Sequence, residues 1–182
     1  MKYNDIAQIF RDKEQTFATL KQAALSLSAP QSAYRVTSGQ WTIAEILEHL
    51  VLVESRLLRL INVSSHKLEK SGSAFSMTIG LNIDIPDGVE RNDTFKVKTK
   101  EEFEPTGTAS ITDSVTKLQT IHDDLRALRS RLERLDLSTV SFEHWLLGTL
   151  TLGQWLAFIG IHEQRHLGQV QSILASATFP KQ

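Results

Sequence analysis

The chain contains no cysteine, and that absence removes disulfide stapling, a thiol nucleophile and any thiolate-held metal. A metal ion, if one is held, has to sit on His, Asp or Glu. The apolar runs fall far short of the ~20 residues that cross a bilayer, so no membrane partner is expected. Acidic and basic residues nearly cancel, at a formal net charge of -1. No basic stripe or aromatic-interleaved Lys/Arg cluster offers the footprint of a nucleic-acid binder. The opening residues Met1-Lys2-Tyr3-Asn4-Asp5 lack the apolar core and small-residue cleavage site of an export signal, which makes the cytoplasm the expected compartment. What is present is 182 residues with 41% apolar and 23% charged side chains. That is an ordinary globular composition, long enough to bury a sizeable core and expected to form one domain over residues 1–182.

Four stretches repeat apolar residues at the 3.6-residue period of an amphipathic helix. From about Asp5 to Leu27, Ile6, Ile9, Phe10, Phe17, Leu20, Ala24 and Leu27 share a face, and Pro30 marks its end. The second stretch starts at Thr42, where Thr42-Ile43-Ala44-Glu45 has capping-box spacing. It carries Ile43, Ile46, Leu47, Leu50, Val51, Leu57, Leu58 and Ile61. The third runs from near Ser110 to Leu135 on Val115, Leu118, Ile121, Leu125, Leu128, Leu132 and Leu135, with the charged run Asp123 to Arg134 as a solvated face. The fourth opens on a second capping-box spacing, Thr151-Leu152-Gly153-Gln154, and reaches about Ala175. Gly153 and Gly160 weaken its intrinsic propensity, so packing has to hold it. The pattern predicts an all-α fold, a four-helix bundle. Between the second and third helices, the segment from about Ser64 to Ala109 is too long for a turn. It reads as a crossover that covers one end of the bundle, with strand-like pieces at Phe75 to Ile85 and Phe95 to Val97.

His162-Glu163-Gln164-Arg165-His166 spells HExxH, the pattern in which two histidines one turn apart hold zinc and the glutamate acts as the base of a protease. Chance supplies it about once in eighty chains of this composition. The protease reading fails on the tail, because Leu167 to Gln182 contains no His, Asp, Glu or Cys. A third ligand has to come from upstream. His162 and His166 lie about 40° apart on the fourth helix, at the edge of its apolar stripe. His49 takes a border position about 120° from the centre of the second helix's stripe, where a ligand touches the core yet reaches a cleft. Spacing alone does not choose between His49 and His122, which sits on the apolar face of the third helix. Three neutral imidazoles without a fourth protein ligand leave one coordination position open, as in catalytic sites.

Glu54 and Glu163 each project within about 20° of the centre of an apolar stripe, and a buried carboxylate is costly unless paired. Two roles are open. Glu163 orients a ligating imidazole or a metal-bound water from behind, or the two acids pair with an arginine such as Arg165 or Arg56 for structure. Trp41, Trp145 and Trp155 are expected in the core or the pocket wall.

Two blocks carry a family resemblance. Trp41-Thr42-Ile43-Ala44-Glu45-Ile46-Leu47-Glu48-His49-Leu50 looks like the opening of the second helix of the DinB-like (YfiT-like) superfamily. Leu147-Gly148-Thr149-Leu150-Thr151-Leu152-Gly153-Gln154-Trp155, leading into His162 to Gln169, looks like its last helix. The resemblance implies a four-helix bundle with a long crossover between helices 2 and 3. It also implies a divalent metal on three histidines, carried over here to His49, His162 and His166, and so favours His49 over His122. Imidazole ligands suit zinc and nickel alike. Some members of the family are similar to thiol-dependent S-transferases or isomerases, in which a metal lowers the pKa of a low-molecular-weight thiol co-substrate. The expected function is therefore metal-dependent transfer to, or hydrolysis of, a small molecule, in a chain expected to form a homodimer. The competing expectation is a non-catalytic bundle that serves as a dimerisation or small-molecule-binding module. The family often has His-Pro before a Leu/Phe-Gly step, whereas this chain has His144-Trp145-Leu146-Leu147-Gly148, so the loop near the pocket mouth is expected to differ.

Overall fold

Helix starts are set by short polar side chains. In the computed structural model, which describes residues 3–72 and 99–181, Asp5 accepts the Gln8 amide and opens α1 (Ile6–Leu25). A single turn, α2 (Ala29–Ser32), follows. The predicted capping box forms at α3 (Ile43–Lys70): the Glu45 amide donates to Thr42 Oγ1 at 3.1 Å, and the Thr42 amide to Glu45 Oε2 at 2.7 Å. Ser110 accepts the Asp113 amide at the start of α4 (Ile111–Leu132). The second capping box, Thr151 with Gln154, opens α5 (Leu152–Leu174). Caps of this kind each contribute roughly 1 kcal/mol to the helix they start.

The four long helices form the expected all-α bundle. They pack in the ring order α1, α5, α3, α4 and back to α1. Gly160 weakens α5 locally, but a Cβ there would stand 3.1 Å from Tyr3 Oη, so the close approach of the chain's start requires the small residue. One boundary differs from the sequence reading. α3 continues past Ser64 to Lys70, because Ser64, Ser65 and Leu68 are buried and extend its inner face. The strand-like pieces expected at Phe75 to Ile85 and Phe95 to Val97 lie outside the described residues. A 3₁₀ turn (Glu101–Phe103) precedes α4.

A hairpin absent from the sequence reading joins α4 to α5. β1 (Ser141–His144) pairs antiparallel with β2 (Gly148–Thr151), Ser141 facing Thr151 and His144 facing Gly148. The turn closes on Gly148, whose φ of 71° is open to glycine at little cost. His144 Nδ1 accepts the amides of Leu146 and Leu147 at 3.2 and 3.1 Å. Trp155 is buried, as expected, and donates its indole N–H to Phe142 O. Trp145, placed by the sequence reading in the core or a pocket wall, is instead 51% exposed at the hairpin tip.

The hydrophobic interior is divided in two. One cluster takes Ile6, Ile9 and Phe10 of α1 with Leu57 and Ile61 of α3, Leu125 and Leu132 of α4, and Leu156 and Ile159 of α5. The other takes Phe17 and Leu20, Leu47 and Leu50, Leu118 and Ile121, and Val170 and Ile173 from the same helices. Between them, at the waist of the bundle, the buried residues are polar: Lys13, His49, Glu54, His122, Glu163 and His166.

Candidate metal centre

The waist holds two separate clusters that share α5. On one side His49 from α3 meets His162 and His166 from α5. His162 Nε2 lies 3.3 Å from His49 Nε2 and 3.2 Å from His166 Nε2. Two nitrogens bound at about 2.0–2.1 Å to one tetrahedral zinc ion would be about 3.3 Å apart. The two separations at His162 Nε2 therefore match the edge of such a tetrahedron.

Their protonation fits as well. His49 Nδ1 lies 2.8 Å from the carbonyl oxygen of Phe103, which can only accept, so Nδ1 carries the proton and Nε2 presents a lone pair. His166 Nδ1 stands in the same relation to Gln169 Oε1 at 2.6 Å. Such outer hydrogen bonds fix the tautomer and aim of metal-ligating imidazoles. Burial pushes all three rings below the usual histidine range, assisted at His162 by its two neighbours, so they are neutral at pH 7. Two lone pairs thus converge on His162 Nε2, while His162 Nδ1 is buried without a hydrogen-bond partner. Trp41 lies against His49, with ring centroids 4.7 Å apart, and Phe158 lies 5.5 Å from His162. These rings form apolar walls beside the nitrogens.

The support from Phe103 depends on Glu48, the neighbour of His49. Its carboxylate accepts the Thr106 amide and hydroxyl at 3.1 and 2.6 Å and the Gly107 amide at 2.9 Å. It thereby pins the segment that carries Phe103 to the outer face of α3. Neither residue stood out in the sequence. A carboxylate directly before a candidate ligand was the available signal for Glu48, whereas a backbone carbonyl 54 residues away leaves none.

The second cluster lies on the other face of α5, and its centre is a residue that the sequence reading passed over. Lys13 Nζ donates to Glu163 Oε2 at 2.6 Å and to Glu54 Oε2 at 2.8 Å, and lies 2.9 Å from His122 Nε2. Each of the four long helices supplies one member. The pairing of Glu54 and Glu163 with Arg56 or Arg165 is thus corrected. Lys13 is their partner because α1 brings its stem into the core between Phe10 and Phe17, a lysine at an apolar-stripe position that was the missed signal. Burial alone would lower the Lys13 ammonium, but the two carboxylates outweigh it and hold the group above its usual range. Burial pushes Glu54 up to about 7 and His122 down to about 3.

Glu163 is consumed by this arrangement. Its Oε1 lies 3.1 Å from His122 Nε2 while Oε2 meets Lys13, so neither oxygen is directed to the imidazoles as a proteolytic base or an orienting acid would require. Glu54, His122 and Glu163 have a donor set that a cation could use, and the Lys13 ammonium stands among them. His122 belongs here and not with His162.

The DinB superfamily profile matches residues 13–170. The chain belongs to the DinB superfamily. Among curated proteins it is 26% identical over 148 residues to the uncharacterised protein YuaE of Bacillus subtilis (strain 168), covering 81% of this chain and 85% of that relative. No solved structure matches the chain. Within this DinB chain, the matched span includes both clusters and all four long helices in whole or in large part.

Proposed function

We propose that the chain is a divalent-metal-dependent enzyme acting on a small molecule, with the metal, zinc or nickel, held by His49, His162 and His166. The convergence of three neutral Nε2 atoms at the edge length of a coordination tetrahedron supports this reading most directly. Bound there, the ion would act as a Lewis acid, lowering the pKa of a water or low-molecular-weight thiol in the coordination position that three imidazoles leave open. The chain's own residues do the rest. Phe103 O and Gln169 Oε1 keep the His49 and His166 rings in the ligating tautomer. Trp41 and Phe158 give the cleft apolar walls that exclude water and receive the body of a substrate. Transfer of a thiol to an electrophile, or hydrolysis, is the class of reaction such a site serves.

Elemental analysis of protein purified without a His-tag tests the first step. Wild type is expected to carry close to one equivalent of metal and a His162→Ala/His166→Ala double variant very little. Equal content in the two would sink the assignment. Consumption of a glutathione-type thiol by electrophilic substrates, dependent on the loaded metal, then tests the chemistry; its absence across a broad panel would favour a non-catalytic binding module.

A further inference from the structure

The second cluster of the waist has the donors of a cation site and an ammonium at its centre. A lysine ammonium carries three N–H donors and no acceptor. Lys13 Nζ directs them at Glu163 Oε2, Glu54 Oε2 and His122 Nε2, at 2.6, 2.8 and 2.9 Å. His122 Nε2 therefore presents a lone pair, as a ligating imidazole does. Its other neighbour is Glu163 Oε1 at 3.1 Å, so two lone-pair atoms stand side by side around the cation. Glu54 Oε1 is buried without a hydrogen-bond partner. Two fully buried carboxylates thus face a single positive charge, and a buried charge left uncompensated is costly. A divalent ion would match the pair. The donors come from three helices, α3, α4 and α5, and their ligand atoms all lie within 4.8 Å of one another. One imidazole with two carboxylates is a set that zinc and manganese both accept. The ammonium already holds the space, and zinc in its place would draw the three donors in to about 2.0–2.2 Å.

We propose that Glu54, His122 and Glu163 form a divalent-cation site of the zinc or manganese class, and that the Lys13 ammonium is its built-in occupant, closing it to metal. The inference goes beyond the three-histidine reading, since none of these side chains belongs to that cluster. Lys13→Met keeps a stem of similar length and lacks the terminal nitrogen, which opens the site at the position the ammonium holds.

The test removes the imidazole site first. In the His162→Ala/His166→Ala background, Lys13→Met is expected to bind close to one equivalent of zinc or manganese, each offered alone and read by equilibrium dialysis with elemental analysis. Its thermal midpoint is expected to rise with the bound ion. The same background with Lys13 in place is expected to bind very little. Adding Glu54→Gln to Lys13→Met is expected to weaken binding by at least about tenfold. Uptake of neither ion by Lys13→Met, equal uptake by its Lys13 parent, or affinity unchanged by Glu54→Gln overturns the proposal. If Lys13→Met does not fold with or without the ions, wild type decides. The ¹⁵N shifts of its His122 ring are expected to show Nε2 without a proton, and a protonated Nε2, which could neither accept from the ammonium nor ligate a metal, overturns the proposal. Because the background lacks two of the three imidazoles, none of these outcomes bears on the three-histidine assignment.

Discussion

Adjacent residues of one helix point about 100° apart, and at His162-Glu163 that angle separates two chemistries. His162 belongs to the imidazole cluster, while Glu163 reaches Lys13 and His122. The motif that reads as a protease in one dimension is divided between two sites in three. Glu163→Gln is therefore expected to destabilise the fold by on the order of 3 kcal/mol, as breaking a buried ion pair does. Denaturant midpoints measure it, with metal content retained; an unchanged midpoint would remove Glu163 from its structural role.

His144 gives a residue-scale prediction in pH. Burial depresses it to about 4, and its unprotonated Nδ1 accepts two amides of the hairpin turn. Because the folded value lies below the unfolded one of about 6.5, the unfolded chain takes up the proton first. The stability His144 contributes is present above pH 6.5 and is lost as pH falls from there toward 4. Wild type is expected to be more stable than His144→Leu at pH 7.5, with the gap narrowing by pH 5. A gap that holds constant or widens contradicts this.

At the scale of elements, the helix starts were legible because they are local. Thr42 with Glu45 and Thr151 with Gln154 close their boxes within four residues, and the apolar periods placed α1, α4 and α5 to within a few residues of their ends, while α3 runs on past the expected Ser64 to Lys70. The hairpin was not legible, since Ser141 to Thr151 holds too short an alternation to be told from a loop and is held by α5 through Trp155 and Phe142. His162 and His166 were visible as an i, i+4 pair. The choice of His49 came from the resemblance, and Lys13 showed only as a lysine at an apolar-stripe position, its partners lying 41, 109 and 150 residues away. The segment before α4 is the element on which His49 depends. Glu48→Ala releases Thr106 and Gly107 and with them the hold of Phe103 O on the imidazole. The expected effect is a loss of metal affinity of about 10–100-fold, measured by competition with a chelating dye, and unchanged affinity would show that the segment is anchored elsewhere.

Across the whole molecule, a bundle that could have closed on one continuous apolar core carries a polar layer at its waist. Among the described residues no helix is long and apolar enough to cross a membrane. Lys13 meets Glu54, His122 and Glu163, one contact for each of the other long helices, and apolar side chains that tolerate sliding cannot fix relative height as such a contact does. The lysine acts as a registration pin. With it seated, Glu163 ties α5 to α1 at the same level at which Glu54 and His122 tie α3 and α4. That same setting brings His162 and His166 to the height of His49, so the alignment of the histidines is inherited from a residue that touches none of them.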